Sequence, residues 1–151
     1  MVTHDPLDAL SLADRLVFIE AGSLVQEGTP HEVIARPRDA YVAHVVGLNF
    51  LRGQRTGDQQ VDVGGTIVVA PDIPASGPGG SLCVTIPPSA VALYRTRPDG
   101  SPRNTWPVTV SDIQLIGQTA RVNLAGPFTL AAEVTAAAVA DLRLGVGQEL
   151  W

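Results

Sequence analysis

Residues 100–151, GSPRNTWPVTVSDIQLIGQTARVNLAGPFTLAAEVTAAAVADLRLGVGQELW, decide the fold class. They read as strands over about 106–115, 119–124, 128–134 and 148–151, punctuated by Gly and Pro. Thr135 is placed to cap one short helix over 136–142. The same texture extends backward to residue 50, with strands expected near 50–55, 59–63, 66–70, 82–86 and 92–95. Gly64-Gly65 is a hairpin signal, and residues 71–80 (PDIPASGPGG) form a loop by composition. Many short strands separated by turns predict a small antiparallel all-β barrel with one short helix.

Residues 1–47 have another character. Val2-Thr3-His4 reads as a strand end, Asp5 as a helix cap, Pro6 as the first helical residue and Asp8 as a first-turn acid. Leu7, Leu10 and Ala13 would give that helix its apolar stripe. RLVFIE at 15–20 reads as a buried strand, Ala21-Gly22-Ser23 as a turn, and Leu24-Val25-Gln26-Glu27 as the return strand of a hairpin. Thr29-Pro30-His31-Glu32 is a capping-box pattern, with Glu32 three residues after Thr29. The helix it opens should stop before Pro37, and another, about 39–46, should end at Gly47. The alternation of helix and strand gives this part an α/β character, with a domain boundary at 47–50.

The chain has 151 residues, a 45 % hydrophobic content and 17 % charged residues, enough apolar material for a buried core. Its net charge of −5 comes from 15 acids and 10 bases, and every base is arginine. An acidic chain without a basic cluster argues against nucleic acid as a partner. Cys83 is the single cysteine, so no internal disulfide or thiolate metal site can form, which fits a reducing compartment. No apolar run approaches the length of a membrane span, and no basic-then-apolar leader opens the sequence, so direct membrane insertion is not expected.

Few residues suggest chemistry on their own. His4, at a strand end beside a helix N-terminus, is held toward its neutral form by the helix dipole and reads, taken alone, as structural. His31 and His44 sit on separate predicted helices and read as surface residues. Ser11, Ser81 and Cys83 have no paired base that would make a nucleophile. Gly77-Pro78-Gly79-Gly80 lacks the Lys-Ser/Thr and helix of a phosphate loop and reads as linker. Trp106, beside Pro107, reads as a core or interface aromatic.

The order of motifs changes the weight of His4. The His4-Asp5 pair, Ala13-Asp14-Arg15, the Gly22 hairpin, Gln26-Glu27-Gly28-Thr29-Pro30 and Glu32-Val33, with Pro37 and Tyr41 following, resemble the end of the nucleotide-binding domain of an ABC importer ATPase. That resemblance covers residues 1–47 and implies that His4 is the switch histidine, which contacts the γ-phosphate of ATP and helps order the attacking water. No G-x-x-x-x-G-K-[ST] loop and no lysine occur, and the signature motif and the acid-bearing Walker B strand are also missing. Phosphoryl transfer needs the phosphate cradle, Mg²⁺ and a positioned water together, so this chain is expected to be inactive alone. ATP and Mg²⁺ would belong to the intact subunit. Met1 stands where the family has an interior strand residue, so the chain is read as the family's C-terminal part.

The rest, residues 48–151, is similar to the transport-associated OB-type (TOBE) domain, with Pro88-Ser89-Ala90-Val91-Ala92-Leu93 fitting its recurrent segment. Residues 82–151 further resemble the molybdate-binding Mop module. A tetrahedral dianion can be held by backbone N–H groups, small hydroxyls and a nearby arginine or amide. The resemblance implies Ser101, Arg103 and Asn104 as one anion-contacting segment and Thr135, Ala136 and Ala137 as the other. Pro102 removes a backbone donor from the first, and Ala136-Ala137 replace positions that often carry a hydroxyl or amide. On the residues alone, Asn104 and Thr135 read equally well as supports of a turn and a helix cap. A further strand would normally follow Trp151, so the module is also read as clipped at its C-terminus.

The resemblances together imply the C-terminal fragment of the ATP-binding subunit of an importer for molybdate or tungstate. The intact subunit would be a homodimer docked on an integral-membrane permease, cytoplasmic and peripheral on the inner face of the cell membrane. Two alternatives stay open. The fragment could come from a sulfate, ferric iron or polyamine importer whose β domain only mediates interactions, or the chain could be an autonomous molybdate storage or sensor protein.

Overall fold

The computed structural model describes residues 2–3, 6–71, 73 and 80–151, with Pro6 and Leu7 described by backbone alone. His4, Asp5 and most of the 71–80 loop, including Gly77-Pro78-Gly79, lie outside the described residues. So do the expected Asp5 cap and the placement of His4. The chain divides into two compact units, Met1–Phe50 and Leu51–Trp151.

In the first unit, helix α1 (Pro6–Leu12) leads into strands β1 (Leu16–Glu20) and β2 (Ser23–Gly28), then helices α2 (Pro30–Ala35) and α3 (Ala40–Val45). Val2 and Thr3 carry no strand assignment. Glu20 pairs with Ser23, which leaves Ala21 and Gly22 as a two-residue turn, both at positive φ (48° and 79°). That is the primed turn whose twist matches antiparallel strands, and Ala21 bears the strain that Gly22 avoids. Thr29 caps α2 with both halves of a capping box in place. Asp39 caps α3 through its side chain on the Tyr41 N–H, at 2.8 Å. At the other end of α3, Gly47 at φ 82° donates to His44 and Leu48 donates to Ala43. This 5→2 and 6→1 pair satisfies carbonyls the helix would otherwise leave open. Leu16 and Phe18 on β1 meet Val33 of α2 and Val42 of α3 in one core, with Leu10 and Ala13 packed against it.

Among its described residues the second unit, with the last residues of the first, holds strands, one helix, one 3₁₀ turn and irregular connections. Its strands are β3 (Asn49–Gly57), β4 (Gln60–Val63), β5 (Thr66–Val69), β6 (Ser81–Ile86), β7 (Val108–Ile116), β8 (Thr119–Ala125), β9 (Leu130–Thr135) and β10 (Glu149–Leu150). Helix α4 (Ala136–Asp141) follows β9, and Pro88–Ala90 forms the 3₁₀ turn. Pairing gives two four-stranded sheets, ordered β5-β4-β3-β6 and β10-β7-β8-β9. They share one core, in which Leu51 and Val68 of the first sheet meet Val110, Val122, Leu124 and Leu150 of the second. Each such Val or Leu contributes roughly 1.5–3 kcal/mol relative to exposure. Gly64 and Gly65 turn the β4–β5 hairpin at φ 60° and 91°, with Gly65 N–H on Asp62 Oδ1 at 2.7 Å.

The segment 92–95, expected as a strand, is not one. Its only ladder feature is a reciprocal pair of backbone bonds between Tyr94 and Trp151, each 2.9 Å. The prolines at 87, 88 and 98 bound the segment on both sides and leave little room for a longer ladder. Strand β7 likewise begins after Pro107 rather than at Trp106, since Pro lacks the N–H a ladder requires.

Candidate functional site

The segments implicated in anion contact occupy two places in the β unit. Residues 101–104 belong to the irregular stretch that precedes β7; Thr135 closes β9 and opens α4. Ser101 and Arg103 are exposed, and Arg103 Nη1 donates to Gln59 Oε1 at 3.2 Å. Asn104 is half-buried and bonded through both ends of its carboxamide. Its Nδ2 donates to the Val69 carbonyl and its Oδ1 accepts from the Val69 N–H, each at 2.8 Å. A carboxamide used this way continues the hydrogen-bond pattern of a strand beside the free edge of β5.

Thr135 is the N-cap of α4. Its hydroxyl accepts from the Ala138 N–H at 3.1 Å, and the Ala136 N–H donates to the Gln118 carbonyl at 2.9 Å. Two donors of the first turn are therefore committed within the chain. Ala137 is exposed and brings only its methyl and backbone.

The structure does not bring the two segments to one cleft. Pro102 and Asn104 line a cleft of about 340 Å³ with Trp106 and Trp151, whereas Thr135 lines another of about 440 Å³ with Ser89, Thr119 and Glu133. Val91, Ala92 and Leu93 border both. Glu133 places a carboxylate in the cleft of Thr135, an unfavourable neighbour for a dianion. Sequence reasoning missed Val69 and Gln59, the partners of Asn104 and Arg103. They lie 35 and 44 residues away along the chain, and no local pattern signals such pairing.

His31 and His44 are exposed on α2 and α3, and among the described residues no group of His, Cys, Asp and Glu is placed to hold a metal ion. Cys83 is free and exposed. Trp106 packs edge-on against Phe128, with ring centroids 4.8 Å apart. No helix is long and apolar enough to cross a membrane among the described residues.

Comparison with known proteins agrees with this architecture. Residues 100–151 match the TOBE domain model. The molybdenum import ATP-binding protein ModC of Mycobacterium tuberculosis is 33 % identical over 159 aligned residues, covering 100 % of this chain and 42 % of that protein. The chain thus spans less than half the length of that relative. A sulfate/thiosulfate import ATP-binding protein, CysA 2 of Chromobacterium violaceum, is 37 % identical over 127 residues, covering 82 % of this chain and 33 % of its own length. In fold, the chain is similar to the cytoplasmic molybdate-binding protein ModG with molybdate bound (TM-score 0.52, 24 % identity), over 68 % of this chain and 86 % of that one. The chain is therefore similar to the TOBE domain over residues 100–151 and, along its whole length, to part of a molybdenum import ATP-binding protein.

Proposed function

We propose that this chain is the C-terminal part of the ATP-binding subunit of an ABC importer for molybdate, and that its β domain is an oxyanion-responsive regulatory module. The observation that carries the reading is the similarity to a molybdenum import protein over the whole chain, where the sulfate relative aligns with 82 % of it. In this reading residues 1–47 end the nucleotide-binding domain and residues 48–151 form the TOBE/Mop-like domain, an OB-type barrel. His4 would face the γ-phosphate of ATP in the intact subunit, which works as a homodimer docked on a membrane permease at its cytoplasmic side. The chain has no lysine and no phosphate loop, so no hydrolytic step is assigned to it.

For the oxyanion, molybdate or tungstate, the available groups are the Ser101 hydroxyl, the Arg103 guanidinium and the α4 start around Thr135 and Ala137. Isothermal titration of the chain with molybdate, against sulfate as control, tests this. Saturable heat with molybdate that Arg103→Gln and Thr135→Val each diminish is the expected result. A second reading, an importer of another solute whose β domain only contacts partner domains, is favoured by one observation. Asn104, implied as an anion ligand, commits its Oδ1 and one Nδ2 hydrogen to Val69. Absence of heat with either anion would select that second reading.

A further inference from the structure

The 340 Å³ cleft has a composition that oxyanion binding does not call for. Its floor is the core itself, Val108, Leu124 and Leu130, and its walls include Tyr94, Trp106 and Trp151. Such a volume and lining suit a small organic molecule with an apolar body. Arg97 does not itself line the cleft, but it stands over one of the rings that do. The guanidinium of Arg97 lies over the Trp151 ring, 5.5 Å from the centroid. Arg97 is exposed and forms no ion pair among the described residues, whose salt bridges join Arg15 to Glu27 and Arg55 to Asp58. An arginine spread on an aromatic face keeps its N–H edge free for a carboxylate while its own plane stays partly desolvated.

We propose that this cleft binds a small amphipathic organic anion, with its apolar body between the aromatic walls and its carboxylate on Arg97. The proposal is independent of the oxyanion reading, since it draws neither on Arg103 nor on Thr135, and the Asn104 carboxamide at the cleft is already bound to Val69.

The chain contains two tryptophans, and both line the cleft, so their indole N–H signals report on it directly. The test is a heteronuclear NMR titration of the full chain with 4-phenylbutyrate, compared with 4-phenylbutylamine, which has the same body and the opposite charge. Saturable shifts of both indole signals with the carboxylate are expected, with affinity at least about tenfold weaker for the amine, the scale of one charge-assisted bond. Arg97→Gln should weaken phenylbutyrate binding by about tenfold, again the worth of one such bond, while leaving the thermal transition of the chain in place. Equal affinity for the amine, unchanged affinity in the Arg97→Gln variant, or shifts that never saturate would each overturn the proposal.

Discussion

Asn104 and Val69 form a closed pair: one carboxamide satisfies both the N–H and the carbonyl of a single residue at the end of β5, each bond at 2.8 Å. The pair ties the stretch before β7 to the other sheet of the β unit, where the edge strand would otherwise present unpaired backbone groups. Asn104→Ala is expected to destabilise this unit by about 1–3 kcal/mol, because two half-buried backbone groups lose their partners together. Asn104→Asp keeps the acceptor but turns a carboxylate toward the Val69 carbonyl, and should be no milder. Urea denaturation reads the stability, and hydrogen exchange at the Val69 amide localises the loss. An Asn104→Ala variant as stable as the parent, with Val69 equally protected, would show that the pair contributes nothing.

A comparable clasp operates in the first unit. Gln26 is among the few buried polar residues; its Nε2 donates to the Arg36 carbonyl at 3.1 Å and its Oε1 accepts from the Arg38 N–H at 2.8 Å. It therefore holds both sides of Pro37 in the connection between α2 and α3. Gln26→Leu fills similar space without either bond and should cost about 1–3 kcal/mol. Exchange at the Arg38 amide should accelerate. Were that amide unaffected, the geometry of the connection would have to be set by the packing of Pro37 alone.

These clasps mark where sequence reading reaches its limit. The hairpin at Ala21-Gly22, the Thr29/Glu32 box, the Gly64-Gly65 turn and the Thr135 cap were legible because each is local, with cause and effect within four residues. Asn104 was legible only as a polar residue near a turn, since its partner belongs to another sheet. The 92–95 strand was misread for a related reason. The flanking prolines and a single Tyr94–Trp151 bridge decide how much ladder forms. For the two anion segments, motif matching names residues, while the clefts they border are a property of the folded chain.

Gly53 illustrates a position where space, not torsion, demands glycine. It is buried in β3, and a Cβ there would collide with the Asp62 carbonyl and lie 2.6 Å from Val61 Cγ1 on the neighbouring strand β4. The carbonyl is backbone and cannot yield without moving the ladder. Gly53→Ala should therefore destabilise the β unit by about 1–3 kcal/mol, the usual cost of overpacking, and loosen the β3–β4 pairing. Gly64→Ala is a useful contrast, since a Cβ there meets nothing within 4 Å and its cost comes from the φ of 60°. Thermal unfolding of both variants, with exchange at β4 amides, separates the mechanisms. A loss confined to the hairpin in both would refute the steric argument for Gly53.

Glu32 sets a pH dependence at the start of α2. Its Oε2 accepts from the Thr29 N–H at 2.9 Å and lies 3.1 Å from the Thr29 hydroxyl. The backbone bond from Thr29, then its side-chain bond, hold the Glu32 carboxyl below the usual carboxylate range, with Arg15 and His31 adding smaller attraction. A carboxyl depressed in the folded state contributes stability that is present above its unfolded pKa and is lost as pH falls through the folded one. Acidification should thus release the capping box only below the range where ordinary exposed carboxylates titrate. The Thr29 amide resonance, followed by NMR against pH at low salt, is expected to move with a midpoint lower than that of an uncapped glutamate. In Glu32→Gln, which keeps a neutral acceptor at the same place, that transition should vanish while the helix start persists. A Thr29 midpoint at the ordinary carboxylate value, or one that survives in Glu32→Gln, would mean that the box is not formed in solution.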